Sequence, residues 1–327
     1  MPDDSGARSF VEAHRAQARA LGERLAELID QPEDFIEALS AGLVELGDPV
    51  YAGMLQVLSP GVASRYAVRG PLGEAVQAPL RRSLRGGSSA SALWLAERLV
   101  ESTQRDLRLY AVPCLRRSLS QDPEQSWQLM RRMGGRAEDW IETDSLADVW
   151  ARGILAEPFR WAELEQLVYS ARVFERRLVG ATLATLPHRV PGARTAELHG
   201  APSQRAFELI RLLMGDAEAR VQKALSWAIR EWTRVDPGGA TGLLREEVGL
   251  AVAQSDGARA WVVRDALSGQ PADLRASLRS RLAGIRRDRL APSTSVAAGQ
   301  AARFAALSSA HADAVVVQGH RYTRSRA

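Results

Sequence analysis

Helix-period spacing of apolar residues runs through almost the whole chain, and this feature limits the fold more than any other. Segments of about 10 to 20 residues place apolar side chains three or four positions apart, with short Gly, Pro or Asp breaks between them. The apolar–polar alternation typical of strands is nearly absent. The pattern predicts helices over 8–29, 33–46, 73–84, 89–102, 104–119, 123–133, 145–156, 160–169, 172–186, 203–213, 217–234, 240–251, 258–268 and 272–286.

Many helices joined by short loops leave two all-α architectures, a helix bundle and an α-solenoid. One internal repeat favours the solenoid, because the sequence Leu-Arg-Arg-Ser-Leu at 80–84 recurs at 115–119. The interval is close to the roughly 34 to 47 residues of helical-pair repeats. We therefore predict an α-solenoid of antiparallel helix pairs as a single domain over residues 1–287. The Ala-, Ser- and Gly-rich basic tail over 288–327 is predicted to be mostly disordered.

Charge is spread unevenly over the 327 residues, which carry a net charge of +4 and a single lysine, Lys223. Residues 1–50 hold 11 acidic and 4 basic side chains, a net of −7, whereas residues 259–327 hold 12 Arg and 4 Asp, a net of +8. A basic end points to a polyanion such as nucleic acid, although a solvated tail explains it equally well. The chain contains neither a secretory signal nor a membrane-length apolar run, so we expect a cytoplasmic protein.

The common catalytic signatures are absent. The sequence contains no G-x-x-x-x-G-K-[ST], H-E-x-x-H or G-x-S-x-G motif, and its five histidines are scattered without metal-ligand spacing. The single cysteine, Cys114, lies among apolar residues and is predicted to be buried rather than nucleophilic. We therefore expect neither a metal nor a cofactor.

The segment 216–234 predicts a helix with two different faces. The apolar stripe consists of Val221, Leu225, Ile229 and Trp232. Roughly opposite lie Arg220, Lys223, Trp227, Arg230 and Arg234. This second face is either a phosphate-contacting surface with an aromatic platform or a surface that packs on the next helix layer, with Trp227 covered by arginine stems. The pattern alone favours neither interpretation.

Two further segments carry aromatic or charged clusters, and each has an ordinary structural explanation. Trp140 and Asp144 are four residues apart, but Asp144 also suits a helix N-cap, with Ser145 and Asp148 as a capping box. Trp140 could be a core residue, as we predict for Trp94, Trp127 and Trp150. In the segment 170–183, a solvated face would explain a cluster of Arg172, Arg176 and Arg177.

In this order and spacing, the three segments resemble the AlkD-like family of HEAT-repeat DNA glycosylases. Residues 221–231 are similar to the family's V-x-K-A-h-G-W-h-h-R-E helix, in which h is apolar. Residues 140–144 match W-x-x-x-D, and residues 170–177 match S-x-N-x-W-x-R-R. The resemblance covers roughly residues 105–270. Departures from the family include Phe174 in place of a tryptophan, Ile141 in place of an aspartate and Ser226 in place of a glycine.

The resemblance implies a right-handed-curved α-solenoid of HEAT-like helix pairs that binds double-stranded DNA as a monomer. It implies excision of cationic N3- or N7-alkylated purines, with Asp144 as the catalytic carboxylate. Trp140 and Trp227 would form aromatic walls, and Arg177 would contact the DNA backbone. The basic clusters supply the other candidate DNA contacts, namely Arg172, Arg176, Arg220, Lys223 and Arg230. Two alternatives stay open: a non-catalytic HEAT-repeat module that binds DNA or protein, and a glycosylase specialised for one bulky natural-product adduct.

Overall fold

The computed structural model describes residues 4–58, 66–288, 290–304 and 306. Over these residues the protein is all-α, as predicted, and its only β pairing is an isolated bridge between Gly47 and Val68. None of the described helices is long and apolar enough to cross a membrane. The α-helices are α1 Asp4–Glu27, α2 Pro32–Glu45, α3 Pro49–Leu58, α4 Gly70–Gly86, α5 Ser89–Glu101, α6 Arg105–Arg108, α7 Ala111–Ser118, α8 Pro123–Arg136, α9 Trp140–Ala156, α10 Trp161–Val168, α11 Val173–Thr185, α12 Ala201–Leu213, α13 Ala219–Val235, α14 Pro237–Gln254, α15 Gly257–Ala266 and α16 Ala272–Arg281.

Side-chain caps define where several of these helices begin. Ser88 accepts a hydrogen bond from the backbone N–H of Ser91 at 3.3 Å at the start of α5. At the start of α14, Asp236 accepts one from the Gly239 N–H at 2.8 Å. Such caps satisfy N–H groups that have no partner inside the helix.

Apart from shifts at helix ends, the helices differ from the sequence prediction at two places. The predicted helix over 104–119 is divided into α6 and α7, because Pro113 has no N–H to donate to the carbonyl four residues earlier. The periodicity does not predict α3 at all. This helix exposes Val50 and Val57, which are 71% and 82% accessible, so its apolar residues do not form one stripe.

The chain divides into two compact units, Met1–Pro158 and Phe159–Ala327. In the first unit, α1, α4, α7 and α9 contact one another in succession, and α2, α5 and α8 form a second succession. In the second unit, α11, α13 and α15 form one succession, and α10, α12, α14 and α16 form the other. Two layers of alternating helices are what stacked helix pairs produce. The single domain predicted over residues 1–287 stays a prediction.

Large aromatic side chains fill much of the core. Trp127 and Trp150 are buried against each other with ring centroids 4.5 Å apart, as expected for core residues. Trp94 is 48% exposed, so its assignment to the core was wrong. Cys114 is fully buried as predicted, and burial raises the pKa of its thiol to about 12, which leaves it protonated at neutral pH.

The chain beyond α16 returns to the second unit. The Thr294 backbone N–H donates to the Gly215 carbonyl at 3.0 Å, and the Ser295 hydroxyl donates to the Leu212 carbonyl at 2.8 Å. Residues 296–304 are helical. The predicted disorder therefore does not hold for residues 290–304, because these hydrogen bonds anchor them. The prediction for 307–327 lies outside the described residues.

Candidate functional site

Helix α9 begins five residues earlier than predicted, and this changes the interpretation of Asp144. Its N-cap is Asp139, which accepts a hydrogen bond from the Glu142 N–H at 2.8 Å. Asp144 therefore lies inside the helix, in its second turn. The interpretation of Asp144 as an N-cap was wrong, and so was the capping box of Ser145 and Asp148.

Trp140 and Asp144 lie one turn apart on the same face of α9, because residues four apart are neighbours on a helix surface. Trp140 is 43% exposed, so the core explanation for it was wrong. Asp144 is half-buried, whereas Glu142 and Thr143 between them are fully buried. The face thus presents a large aromatic surface next to a carboxylate.

Two buried ion pairs hold the start of this helix in place. Arg108 of α6 binds Glu142 with both arms, Nε to Oε1 at 2.6 Å and Nη2 to Oε2 at 3.0 Å. Arg105 binds the capping carboxylate of Asp139 at 2.5 Å. Burial raises the pKa of Glu142, and its bonds to Arg108 act in the opposite direction. Because both carboxylates belong to the first turn of α9, these pairs position Trp140 and Asp144.

Arginine side chains also lie one turn further along α9. Arg116 of α7 binds the Asp148 carboxylate through Nη2 at 2.5 Å, and Arg152 binds it through Nε at 3.2 Å. Asp148 is four residues after Asp144, so the first of these arginines links the candidate face of α9 to α7.

In the second unit, two of the predicted DNA contacts are buried. Arg176 donates to the Asp216 carboxylate at 2.8 Å and to the Ser170 carbonyl at 2.8 Å. Arg177 donates to the Arg220 carbonyl at 2.6 Å. Both side chains join α11 to the start of α13. The predicted DNA contacts of Arg176 and Arg177 stay predictions, and the burial of both side chains argues against them.

Other predicted cations at this end of the unit are accessible. Arg172 is exposed at the N-cap position of α11. The Arg220 guanidinium lies 5.4 Å from the centroid of the Phe174 ring. It makes no hydrogen bond or ion pair with a described residue. The ring of Phe174 thus holds the Arg220 guanidinium by a cation–π contact, and the hydrogen-bond donors of that guanidinium are available to a phosphate.

Asp265 of α15 is a candidate site residue that the sequence pattern does not reveal. Its carboxylate accepts hydrogen bonds from the Ser226 hydroxyl at 2.6 Å and from Arg230 Nη1 at 2.8 Å, and Lys223 Nζ lies 3.5 Å away. Burial alone would raise the pKa of Asp265, but the bonds from Ser226 and Arg230 hold it below its ordinary value. Asp265 therefore neutralises part of the predicted basic stripe. A glycine at 226 could not make the hydroxyl bond.

Two tryptophans lie on the accessible side of the same helices. Trp227 is half-buried, whereas Leu225 is fully buried. This confirms the prediction that Trp227 does not lie on the core face of α13. Trp261 of α15, which was not predicted, has Lys223 Nζ 5.8 Å and Arg287 Cζ 5.5 Å from its ring centroid. The sequence feature that could have identified Trp261 is its position four residues, or one helical turn, before Asp265. The contact with Arg287 could not be predicted, since that residue follows the last predicted helix.

The described part of the chain contains no cluster of His, Cys, Asp or Glu suited to a metal ion. Taken by itself, the first unit has a carboxylate beside an exposed indole on α9, and the second unit has accessible cations and partly exposed indoles. These groups suit the binding of anions and of flat or cationic groups.

Comparison with known proteins supports the sequence resemblance. No curated protein matches the chain. A family model described as DNA alkylation repair enzyme matches residues 40–268, which is more than half of the chain. The match includes Trp140, Asp144 and Trp227 and ends before the segment that follows α16. The chain belongs to the DNA alkylation repair enzyme family.

Proposed function

We propose that this protein is a monofunctional alkylpurine DNA N-glycosylase that uses Asp144 as its catalytic carboxylate. The observation that carries the proposal is the start of α9, where Asp139 performs the capping and Asp144 lies beside the exposed ring of Trp140. A carboxylate next to an exposed indole in a DNA alkylation repair family has a clear chemical use. The substrates would be N3- and N7-alkylated purines such as 3-methyladenine and 7-methylguanine, or bulkier adducts, in duplex DNA.

Alkylation at N3 or N7 gives the purine a positive charge and makes it a good leaving group. The bond between C1′ and the base nitrogen breaks with both electrons going to the base, which leaves as a neutral molecule. The sugar then resembles an oxocarbenium ion, which the negative Asp144 stabilises. The same carboxylate positions a water molecule, whose oxygen bonds to C1′ while its proton passes to the carboxylate or to solvent.

The aromatic side chains would contribute through their electron-rich faces. An indole attracts a cation over its ring with about 0.5–2 kcal/mol. Trp140 and Trp227 would therefore favour a cationic base over a normal one. This preference supports discrimination of alkylated purines without a hydrogen-bonding pocket for each base.

The DNA backbone would be held by the accessible cations Arg172, Arg220, Lys223 and Arg230. Such contacts set the position of the protein on DNA without reading its sequence. Arg176 and Arg177 act as positioning residues in this proposal, because they fix the start of α13. The protein would act as a monomer, without a metal or a cofactor.

The test uses duplex DNA with a single 7-methylguanine, followed by heating in alkali to cleave the strand at abasic sites. We expect cleavage with wild-type protein and none above background with Asp144→Asn. Asp34→Asn makes the same change at an exposed position of α2 and should keep full activity. Urea unfolding of each variant checks that it is folded.

Three results would contradict the proposal. Full activity of Asp144→Asn would remove Asp144 from the mechanism. Duplex binding without base release by wild-type protein would favour the non-catalytic module, and release of a bulky adduct alone would favour the specialised glycosylase.

A further inference from the structure

A pocket of about 310 Å³ lies between α4 and α7 of the first unit. Four of its lining side chains are arginines and none is a carboxylate. The lining residues are Arg81, Leu84 and Arg85 from α4, and Pro113, Arg116, Arg117 and Ser120 from α7 and the turn after it. Arginine is abundant in this chain, but four guanidinium groups around one concavity form a distinct feature.

The internal sequence repeat explains how the pocket arises. The Leu-Arg-Arg-Ser-Leu segments at 80–84 and 115–119 lie in the C-terminal halves of α4 and α7, which contact each other. Arg81 and Arg116 are therefore equivalent positions of successive helices. On α4, Arg81 and Arg85 are four residues apart and share a face.

Three of the four guanidinium groups have partners outside the pocket lining. Arg81 pairs with Glu74 at 2.8 Å, Arg116 pairs with Asp148 at 2.5 Å, and Arg117 donates to the Gly87 carbonyl at 2.8 Å.

Arg85 is exposed and makes no hydrogen bond or ion pair with any residue that the structure describes. Arg81 and Arg116 are thus each paired with a carboxylate outside the lining, whereas the charge of Arg85 has no such partner among the described residues. Because a concavity lined by one sign of charge focuses its potential, a bound anion would relieve the repulsion.

We propose that this pocket binds a backbone phosphate of a DNA strand. The inference rests on the DNA-binding part of the proposed function and not on base excision. The planar guanidinium group of an arginine matches the geometry of phosphate oxygens, with which it can form two hydrogen bonds.

The position of the pocket favours DNA over a free anion. Arg116 connects it to α9 through Asp148, which is one helical turn from Asp144. A strand held in the pocket would therefore continue towards the face that carries Asp144 and Trp140.

The experiment measures the affinity of the full-length protein for undamaged duplex DNA as a function of salt. Arg85→Gln is the test variant, because its side chain lines the pocket without bonding a described residue. We expect the affinity to fall roughly 3- to 10-fold and the salt slope to decrease by about 1, as for one lost phosphate contact. Arg82→Gln removes the same charge from an exposed position outside the lining of the pocket and should change neither quantity measurably.

Equal effects of the two variants would overturn the proposal, since net charge alone would then explain them. A second arm measures thermal stabilisation by inorganic phosphate. If Arg85→Gln removed that stabilisation but left duplex affinity unchanged, the pocket would bind a free anion and the DNA assignment would be wrong. Because the duplex carries no lesion, failure of base excision by wild-type protein would leave this result intact.

Discussion

Arg108 and Glu142 form a buried two-armed ion pair, with distances of 2.6 Å from Nε to Oε1 and 3.0 Å from Nη2 to Oε2. The arginine is 1% exposed and the glutamate is fully buried. The pair joins α6 to the first turn of α9. It therefore fixes the position of the neighbouring residues on α9 relative to α6. Trp140 and Asp144 are two of those residues.

Breaking this pair should destabilise the protein strongly. Arg108→Met leaves the Glu142 carboxylate buried without its partner, and such losses cost about 3–5 kcal/mol of the free energy of unfolding. Arg98→Met removes an exposed ion pair and should cost no more than about 1 kcal/mol. Urea unfolding measures both. A loss below about 1 kcal/mol in Arg108→Met would show that the pair does not hold α9.

Two tryptophans of α9 should respond in opposite ways to substitution. Trp150 is 1% exposed, so Trp150→Ala should cost about 3–5 kcal/mol of stability. Trp140→Ala should cost about 1 kcal/mol, because that side chain is 43% exposed. It should nevertheless slow the release of 7-methylguanine by roughly 2- to 30-fold, the equivalent of one cation–π contact. Unchanged release with intact folding would remove Trp140 from the site.

Removing the charge of Asp265 should strengthen non-specific DNA binding. The carboxylate pairs with Lys223 and Arg230, so Asp265→Asn removes a negative charge that competes with phosphates for both cations. We expect duplex affinity to rise roughly 3- to 10-fold with a steeper salt dependence. Asp273→Asn makes the same change at an exposed position of α16 and serves as the control. The same increase in both variants would mean that only net charge matters.

The same carboxylate should contribute to acid sensitivity. The pKa of Asp265 in the folded protein lies below its ordinary value of 3.8, so its ionised form is favoured by folding. Its contribution to stability is present above pH 3.8 and is lost as the pH falls through the lower, folded pKa. The difference in unfolding free energy between wild type and Asp265→Asn should be constant from about pH 5 to 8 and shrink in more acidic solution. A difference that grows with acidity would contradict this.

A methyl group added at Gly215 should weaken the attachment of the segment that follows α16. A Cβ atom at Gly215, whose φ is +85°, would lie 2.0 Å from Thr294 Oγ1. Gly215→Ala should therefore cost about 1–3 kcal/mol and speed tryptic cleavage after Arg287. Gly249→Ala lies in α14 with open space at its Cβ and should stabilise by about 0.5–1 kcal/mol. Equal cleavage rates in both variants would show that the segment is not anchored at Gly215.

The sequence by itself determined the all-α fold, most helix positions and the family. Helical periodicity is a local property, and it is strong wherever one stripe of a helix is buried, as for Leu225, Ile229 and Trp232 of α13. It failed at α3, where Val50 and Val57 face solvent. Motif spacing identified Trp140, Asp144 and Trp227 as candidate site residues, because matching a motif requires only the type and order of residues.

Only the tertiary structure decided which polar side chains support the fold and which are accessible to a ligand. The sequence treats Arg176, Arg177 and Arg220 as equivalent cations, yet the first two are buried in hydrogen bonds between helices, and the Arg220 guanidinium lies over Phe174. Likewise, Asp139 rather than Asp144 caps α9, and Asp265 neutralises part of the basic stripe. The partners of Arg176, Arg177 and Asp265 in these bonds lie 39 to 43 positions away along the chain and meet them only when helices pack. Local spacing carries no information about such contacts.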